Sequence, residues 1–304
     1  MVPALAKTCT HVVMVQRSPS YVIALPRYFS PVLSLVFDAL AWVKFGLGVR
    51  LAQALLRWGQ KWLDWFLYTF CIACPSFARR IFWWLAAPRL GDKAEQLRPH
   101  LTPSYDPWRQ RVSADADGEF FKALRDGKAS IVTSALSAFT CSGVRLANGT
   151  EVDCDVVVTA LGLKLVGMTG KVDISVDGMP IKVSQQMSYR GVMISDVPNY
   201  VHILGYINNS WTLRAELVWQ WLCALLNHLQ TTGHCAVVPE VPPHLRHAKR
   251  RPFAEGFNPN YITRDYQVIA QQLEDDPWRI HNLDYIQDVR ALRASFSDSA
   301  LRFF

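Results

Sequence analysis

The chain lacks any uncharged apolar run long enough to cross a bilayer. A spanning helix needs about 20 such residues. The best stretch, 65–78, is shorter and is interrupted by Pro75, and the other candidate, 28–43, carries Asp38. Residues 1–24 include Lys7, His11 and Arg17 and hold no clean apolar block, so no secretory leader is readable. The seven cysteines are odd in number and share no repeated spacing, which excludes a legible disulfide framework and points to a reducing compartment. Cys71 and Cys74 form a lone C-x-x-C with no second ligand pair, so they read as core cysteines and no metal is expected. Basic residues are scattered and accompany no recognisable motif, which argues against a nucleic-acid binder. These absences predict a cytoplasmic protein.

What is present is a chain of 304 residues, 50% hydrophobic and 19% charged, enough to build one large domain or two ordinary ones. It is basic, with a formal charge of +7, a balance that suits an anionic membrane or a phosphorylated cofactor as well as a merely solvated surface. Aromatic residues make up 12%, including 11 tryptophans, a heavy load for a soluble domain. Many fall between 31 and 90, where an amphipathic helical pattern interleaves Trp42, Leu51, Leu55, Trp58, Trp62, Trp65 and Phe66 with Lys44, Arg50, Arg57 and Lys61. Such helices either pack on a core of their own or lie in a membrane interface, basic side toward the headgroups.

Elsewhere strands alternate with helices, which places the fold in the α/β class. Residues 1–7 read as the end of a helix feeding a buried parallel strand at 11–16. Proline-rich 99–111 reads as an ordered loop, 118–127 as a short helix, and 130–133 and 143–146 as strands with a hairpin turn at Asn148-Gly149. The triple-valine segment 155–159 reads as another buried strand, 174–183 as a polar hairpin around Asp177-Gly178, and 200–205 as a further strand. A long helix is expected over 213–229. After Pro239 the pattern is a loop-rich tail with charged, mobile ends.

Several of these segments resemble a known family. DVVVTALGL at 155–163 is similar to the D-x-V-V-x-A-T-G strand and turn of flavin-containing and Baeyer–Villiger monooxygenases. QRSPSY at 16–21, HLTPSYDPW at 100–108, the Asp117-Gly118 to Asp126-Gly127 segment, SVDG at 175–178 and GYINNSWTLR at 205–214 resemble its ethionamide-activating branch, in order along the chain. The resemblance implies an incomplete pair of Rossmann-like dinucleotide-binding domains, a flavoprotein monooxygenase fold with an inserted helical segment. It divides the chain into part of an NADPH-binding domain (1–30), the aromatic helical insertion (31–98), the rest of the NADPH domain (99–165), the C-terminal part of an FAD-binding domain (166–240) and a tail (241–304).

The same resemblance implies FAD and NADPH as cofactors, and O2 with a ketone or sulfur compound as substrates. In that chemistry NADPH reduces the flavin, oxygen adds to give a C4a-peroxyflavin, and the peroxide attacks the substrate. Arg17 would grip the adenosine 2′-phosphate at the end of the second NADPH-domain strand, with Ser18 in support and Lys164 adding charge nearby. A plain surface arginine after a strand reads the same in sequence. Gly162 would let the backbone pass close to the cofactors. Asn208 and Asn209, ahead of a helix, would contact the flavin, although Asn-Asn-Ser is also an ordinary helix cap. Trp211 would line the substrate pocket.

The family's two G-x-G-x-x-G/A phosphate loops do not occur in this sequence, and Leu161 stands where the family has threonine. A partial enzyme is therefore expected, one that binds flavin weakly by itself and calls for a complementing N-terminal half. The alternative is a non-catalytic remnant whose basic, tryptophan-rich helices bind a membrane surface or a protein partner.

Overall fold

The computed structural model describes residues 1–25, 46–162, 172–253, 255–257, 259–263, 269–281 and 284–304. They form two compact units, Met1–Leu161 and Gly162–Phe304.

In the first unit, α1 (Val2–Leu5) leads into β1 (Val12–Gln16), as the apolar run at the start of the chain predicts. β1 pairs in parallel with β4 (Ala129–Thr133), Val12 opposite Ala129. A second parallel pair joins β2 (Val22–Leu25) to β3 (Ser113–Ala116). Two long helices follow β2 in the chain: α2 (Gly46–Ala73), and α3 (Pro75–Leu90), which starts at a proline whose missing N–H is not needed there. α4 (Ala94–Leu101) and α5 (Glu119–Arg125) complete the helical layer. Leu90, Phe121, Leu124 and Ile131 meet in the core, so α3 and α5 cover β4 and β1. Asp115 sits buried at the end of β3 and accepts from Phe120 N at 3.0 Å, tying down the start of α5. Burial nevertheless raises its carboxyl above the ordinary range.

The antiparallel sheet β5 (Leu136–Phe139), β6 (Gly143–Leu146) and β7 (Glu151–Asp153) is joined between β6 and β7 by the expected Asn148-Gly149 turn. There Thr150 N donates to Asn148 Oδ1 at 3.2 Å.

The second unit is built around α6 (Trp211–Thr232), two residues longer than expected at its start and three at its end. Leu217, Val218, Trp221 and Leu225 recur at helical spacing on its buried side. They pack with Tyr189, Val192, Met193 and Trp278. The hairpin β8 (Ser175–Val176) to β9 (Met179–Pro180) turns at Asp177-Gly178 as read from sequence. A second short hairpin pairs β10 (Ser188–Tyr189) with β11 (Met193–Ile194). Near the C-terminus come α7 (Tyr285–Arg293) and β13 (Leu301–Phe303), which pairs antiparallel with β12 (Val237–Pro239).

Four expectations are corrected. Residues 155–159 are irregular, and Val156 and Val158 are exposed. A run of valines becomes a buried parallel strand only when neighbouring strands pair with it, and none does so among the described residues. Residues 200–205 make one isolated bridge, Val201 to Met193, in place of a strand. The proline-rich loop begins later than expected, because α4 carries through Pro99 and His100 to Leu101. The region after Pro239 is no loose tail: Trp278 and Leu301 are buried in the core and Asp284 caps α7. The helical pattern expected over 31–45 falls outside the described residues.

Candidate functional site

In the first unit the candidate site is the C-terminal end of β1. Gln16 closes the strand and donates from Nε2 to the His100 carbonyl at 2.7 Å and to Thr133 Oγ1 at 2.9 Å. His100 Nδ1 lies 2.7 Å from the same hydroxyl. This knot of three side chains fixes where β1 stops. Arg17 and Ser18 follow immediately, both exposed, and neither forms a hydrogen bond or ion pair with a described residue. A guanidinium beyond the end of a parallel strand is open to an anionic group, since no carboxylate among the described residues neutralises it. The residues present thus fit a phosphate.

Gly162 lies where the irregular 155–162 segment ends. Its φ of +93° is a conformation that side chains disfavour, and no described atom lies within 4 Å of where a Cβ would stand. Glycine is required there by backbone conformation, with open space beside it. Lys164 falls outside the described residues.

In the second unit the segment from Leu204 to Trp211 is held from beneath by Arg214, on the first turn of α6. The guanidinium donates to the carbonyls of Leu204 at 2.7 Å, Gly191 at 3.1 Å and Arg190 at 3.0 Å. Its charge is met by Asp288 of α7, and Tyr206 donates to the same carboxylate at 2.5 Å. Burial, reinforced by the adjacent carboxylate, pushes the Tyr206 phenol above its ordinary value. Above this base, Gly205 lies flat against the Trp211 ring, and a Cβ there would stand 2.3 Å from Trp211 Cγ. Asn208 is buried, Asn209 Oδ1 accepts from Ser210 N at 2.8 Å, and Trp211 is half exposed.

Although Ser210 occupies the cap position of α6, its side chain makes no capping bond and pairs with Thr212 Oγ1 at 2.8 Å instead. No acidic residue lies in the first turn. The positive end of this 22-residue helix thus has neither a capping bond from Ser210 nor an acid in its first turn, which fits an electron-rich ring edge. Asn208, Asn209 and Trp211 are brought together here, as Arg17 and Ser18 are at the end of β1.

Gly205, Tyr206 and Arg214 lie within the GYINNSWTLR motif, which by itself gives them no role. Asp288 carried no signal at all, because its partners lie 74 and 82 residues away. His202 has no signal in the sequence either. It is buried, neither ring nitrogen has a hydrogen-bond partner among the described residues, and its pKa is held down at about 4 by burial and by the nearby Arg214 charge. Among the described residues no cluster of acidic, histidine or cysteine side chains could hold a metal.

No protein-family signature matches the sequence. Over its whole length the chain is 35% identical to the FAD-containing monooxygenase EthA of Mycobacterium tuberculosis, spanning 60% of that protein. It is likewise 35% identical to the probable FAD-binding monooxygenase AlmA of Acinetobacter baylyi, spanning 58%. The oxidized steroid monooxygenase bound to NADP shares the fold, with a TM-score of 0.63, 14% identity, and coverage of 100% of this chain and 64% of its own.

The chain thus has the α/β fold of that steroid monooxygenase. The chain is a homologue of the FAD-containing monooxygenases and spans about three fifths of the length of these relatives.

Proposed function

We propose that the chain works as part of an FAD-dependent, NADPH-using monooxygenase that oxygenates a ketone or a sulfur atom. The observation that carries this reading is the similarity to FAD-containing monooxygenases along every part of the chain. In this reading residues 1–30 and 99–165 belong to the NADPH-binding domain around a helical insertion, and 166–240 to the flavin-binding domain. Arg17 and Ser18 hold the adenosine 2′-phosphate. Lys164 adds charge to the same nucleotide. Gly162 leaves room for the cofactors. Asn208 and Asn209, with the first turn of α6, hold the polar edge of the flavin ring, and Trp211 walls the space where substrate sits.

When bound, the flavin supplies the redox chemistry. The polypeptide's part is to orient and to exclude water. Arg214 fixes the carbonyl-rich floor beneath the 204–211 segment, so the Asn side chains meet their partner without first being ordered.

The test has two arms. The purified chain is titrated with adenosine 2′,5′-bisphosphate, and Arg17→Ala should weaken binding about tenfold or more. It is also mixed with FAD and desalted, and the flavin absorbance that stays with protein is read for the native chain and for Asn208→Ala/Asn209→Ala. If the native chain binds neither ligand, or if the variants match it in both arms, the assignment falls.

A further inference from the structure

We infer that the exposed aromatic stripe of α2 is a docking surface for a membrane carrying anionic lipids. On α2, Leu51, Leu55, Trp58, Trp62, Trp65, Phe66 and Ile72 all present their side chains to solvent to a large degree, Trp58 at 61% and Phe66 at 57%. At about 100° per residue they fall within an arc of roughly 120° on one side of the helix. Buried residues of a helix share a face because the core demands it. Here it is the exposed apolar residues that share one, which is the reverse of what a helix packed only on its own domain shows.

Three of these residues form a continuous aromatic ladder. The Trp58 and Trp62 rings meet edge to face with centroids 6.0 Å apart, and Trp62 and Trp65 do the same at 5.7 Å. Indole rings, with an apolar body and one N–H, favour the headgroup level of a bilayer over either water or hydrocarbon. Lys61 Nζ lies 5.7 Å from the Trp62 ring centre, so its stem runs beside the stripe while its charge stays near the rim. The stripe continues past the break at Cys74 in exposed Phe77 and Trp84 of α3.

Charge selects the occupant. Between residues 46 and 90 the sequence holds six lysines or arginines against one acid, Asp64. That composition attracts anionic headgroups. A second copy of the same helix is a poorer match. The apolar spacing along 51–72 could serve a helix pair, but Lys61 at its edge would face a partner equally basic, and Phe66 makes the stripe wider than a two-position seam. No helix among the described residues is long and apolar enough to cross a membrane, so the contact is one of lying on the surface.

The experiment is flotation of the full chain with vesicles of phosphatidylcholine alone or with 30% phosphatidylglycerol, alongside two variants. We expect the native chain to bind the anionic vesicles at least about tenfold better, with weakening as salt is raised. Trp58→Ser/Trp62→Ser/Trp65→Ser should lose about tenfold or more in binding to the anionic vesicles, with unchanged far-ultraviolet circular dichroism. Arg57→Glu/Lys61→Glu, which leaves the aromatic residues in place, should lose the preference for anionic lipid. The inference is overturned if the chain floats with neither vesicle or if the tryptophan variant binds as well as the native chain. It is also overturned if light scattering shows an oligomer that the tryptophan variant dissolves, which would assign the stripe to contact between copies.

Discussion

Arg214 and Asp288 face one another with no solvent reaching either side chain: Nε donates to Oδ2 at 2.9 Å and Nη2 to Oδ1 at 3.2 Å. The pair joins the first turn of α6 to the first turn of α7, and every remaining guanidinium donor that is paired goes to a main-chain carbonyl of the 190–204 region. Buried ion pairs of this kind do not stabilise strongly by themselves, because desolvation offsets the attraction. Removing one partner is severe, since the other charge is stranded.

Asp288→Ala should therefore destabilise the second unit by about 3–5 kcal/mol. Tyr206→Phe, which deletes one hydrogen bond to the same carboxylate and keeps the ring, should cost about 1.5–3 kcal/mol. Urea denaturation followed by tryptophan fluorescence measures both. Equal effects from the two substitutions would show that the ion pair is not the main support.

His202 predicts an acid limit to stability. Its folded pKa of about 4 lies below the ordinary value of 6.5, so the unfolded chain binds the proton more readily. The contribution is complete above pH 6.5 and is lost progressively as pH falls toward 4. At 1.36 kcal/mol per pH unit the loss approaches about 3 kcal/mol. Denaturation midpoints between pH 7 and pH 4.5 should fall in the native chain and fall less in His202→Phe. Parallel curves would assign the acid limit to groups other than His202.

Gly205→Ala should displace the Trp211 ring, since the new methyl would stand on top of Cγ. Relief of an overpacked contact of this kind costs about 1–3 kcal/mol. In the proposed function the same change should also weaken flavin retention, because Trp211 begins the helix whose end faces the ring. A variant with native stability and native flavin retention would mean that the ring swings aside freely.

Thiol labelling should divide the seven cysteines six to one. Cys9, Cys74, Cys141, Cys154, Cys223 and Cys235 are exposed, while Cys71 is buried and its thiol is pushed up to about 11 by burial alone. An alkylating reagent at pH 8 should modify six groups on the folded protein and the seventh only after denaturant is added. Fast labelling of Cys71 would contradict its burial.

Local signals were legible in the sequence where one segment contains its own explanation. The Asn148-Gly149 and Asp177-Gly178 turns, the short helix α5 and the parallel strand β1 all follow from residue type and period. The valines of 155–159 were misread because hydrophobicity says that a segment seeks cover, and says nothing about whether a partner strand is present. The tail after Pro239 was misread for the converse reason. Its polar, proline-rich composition hides Trp278, Asp288 and Leu301, whose burial depends on residues far back along the chain. The candidate cofactor residues were legible only through family resemblance. The framework under them, Arg214 with Asp288, has no local signature.

Closure of the second unit by its final residues bears on how the protein emerges during synthesis. Phe304 exchanges main-chain hydrogen bonds with Ala236 and accepts one from Cys235 at 2.7 Å, and Asp288 is supplied from α7. Until the ribosome has released residues 285–304, Arg214 has no counter-charge and β12 no neighbouring strand. The first unit's internal pairings are complete by residue 153, so it can settle while translation continues. The second can settle only after translation has delivered Leu301, so a stop codon before that residue leaves β12 without its strand pairing, and one before Asp288 also leaves α6 without the counter-charge that completes its unit.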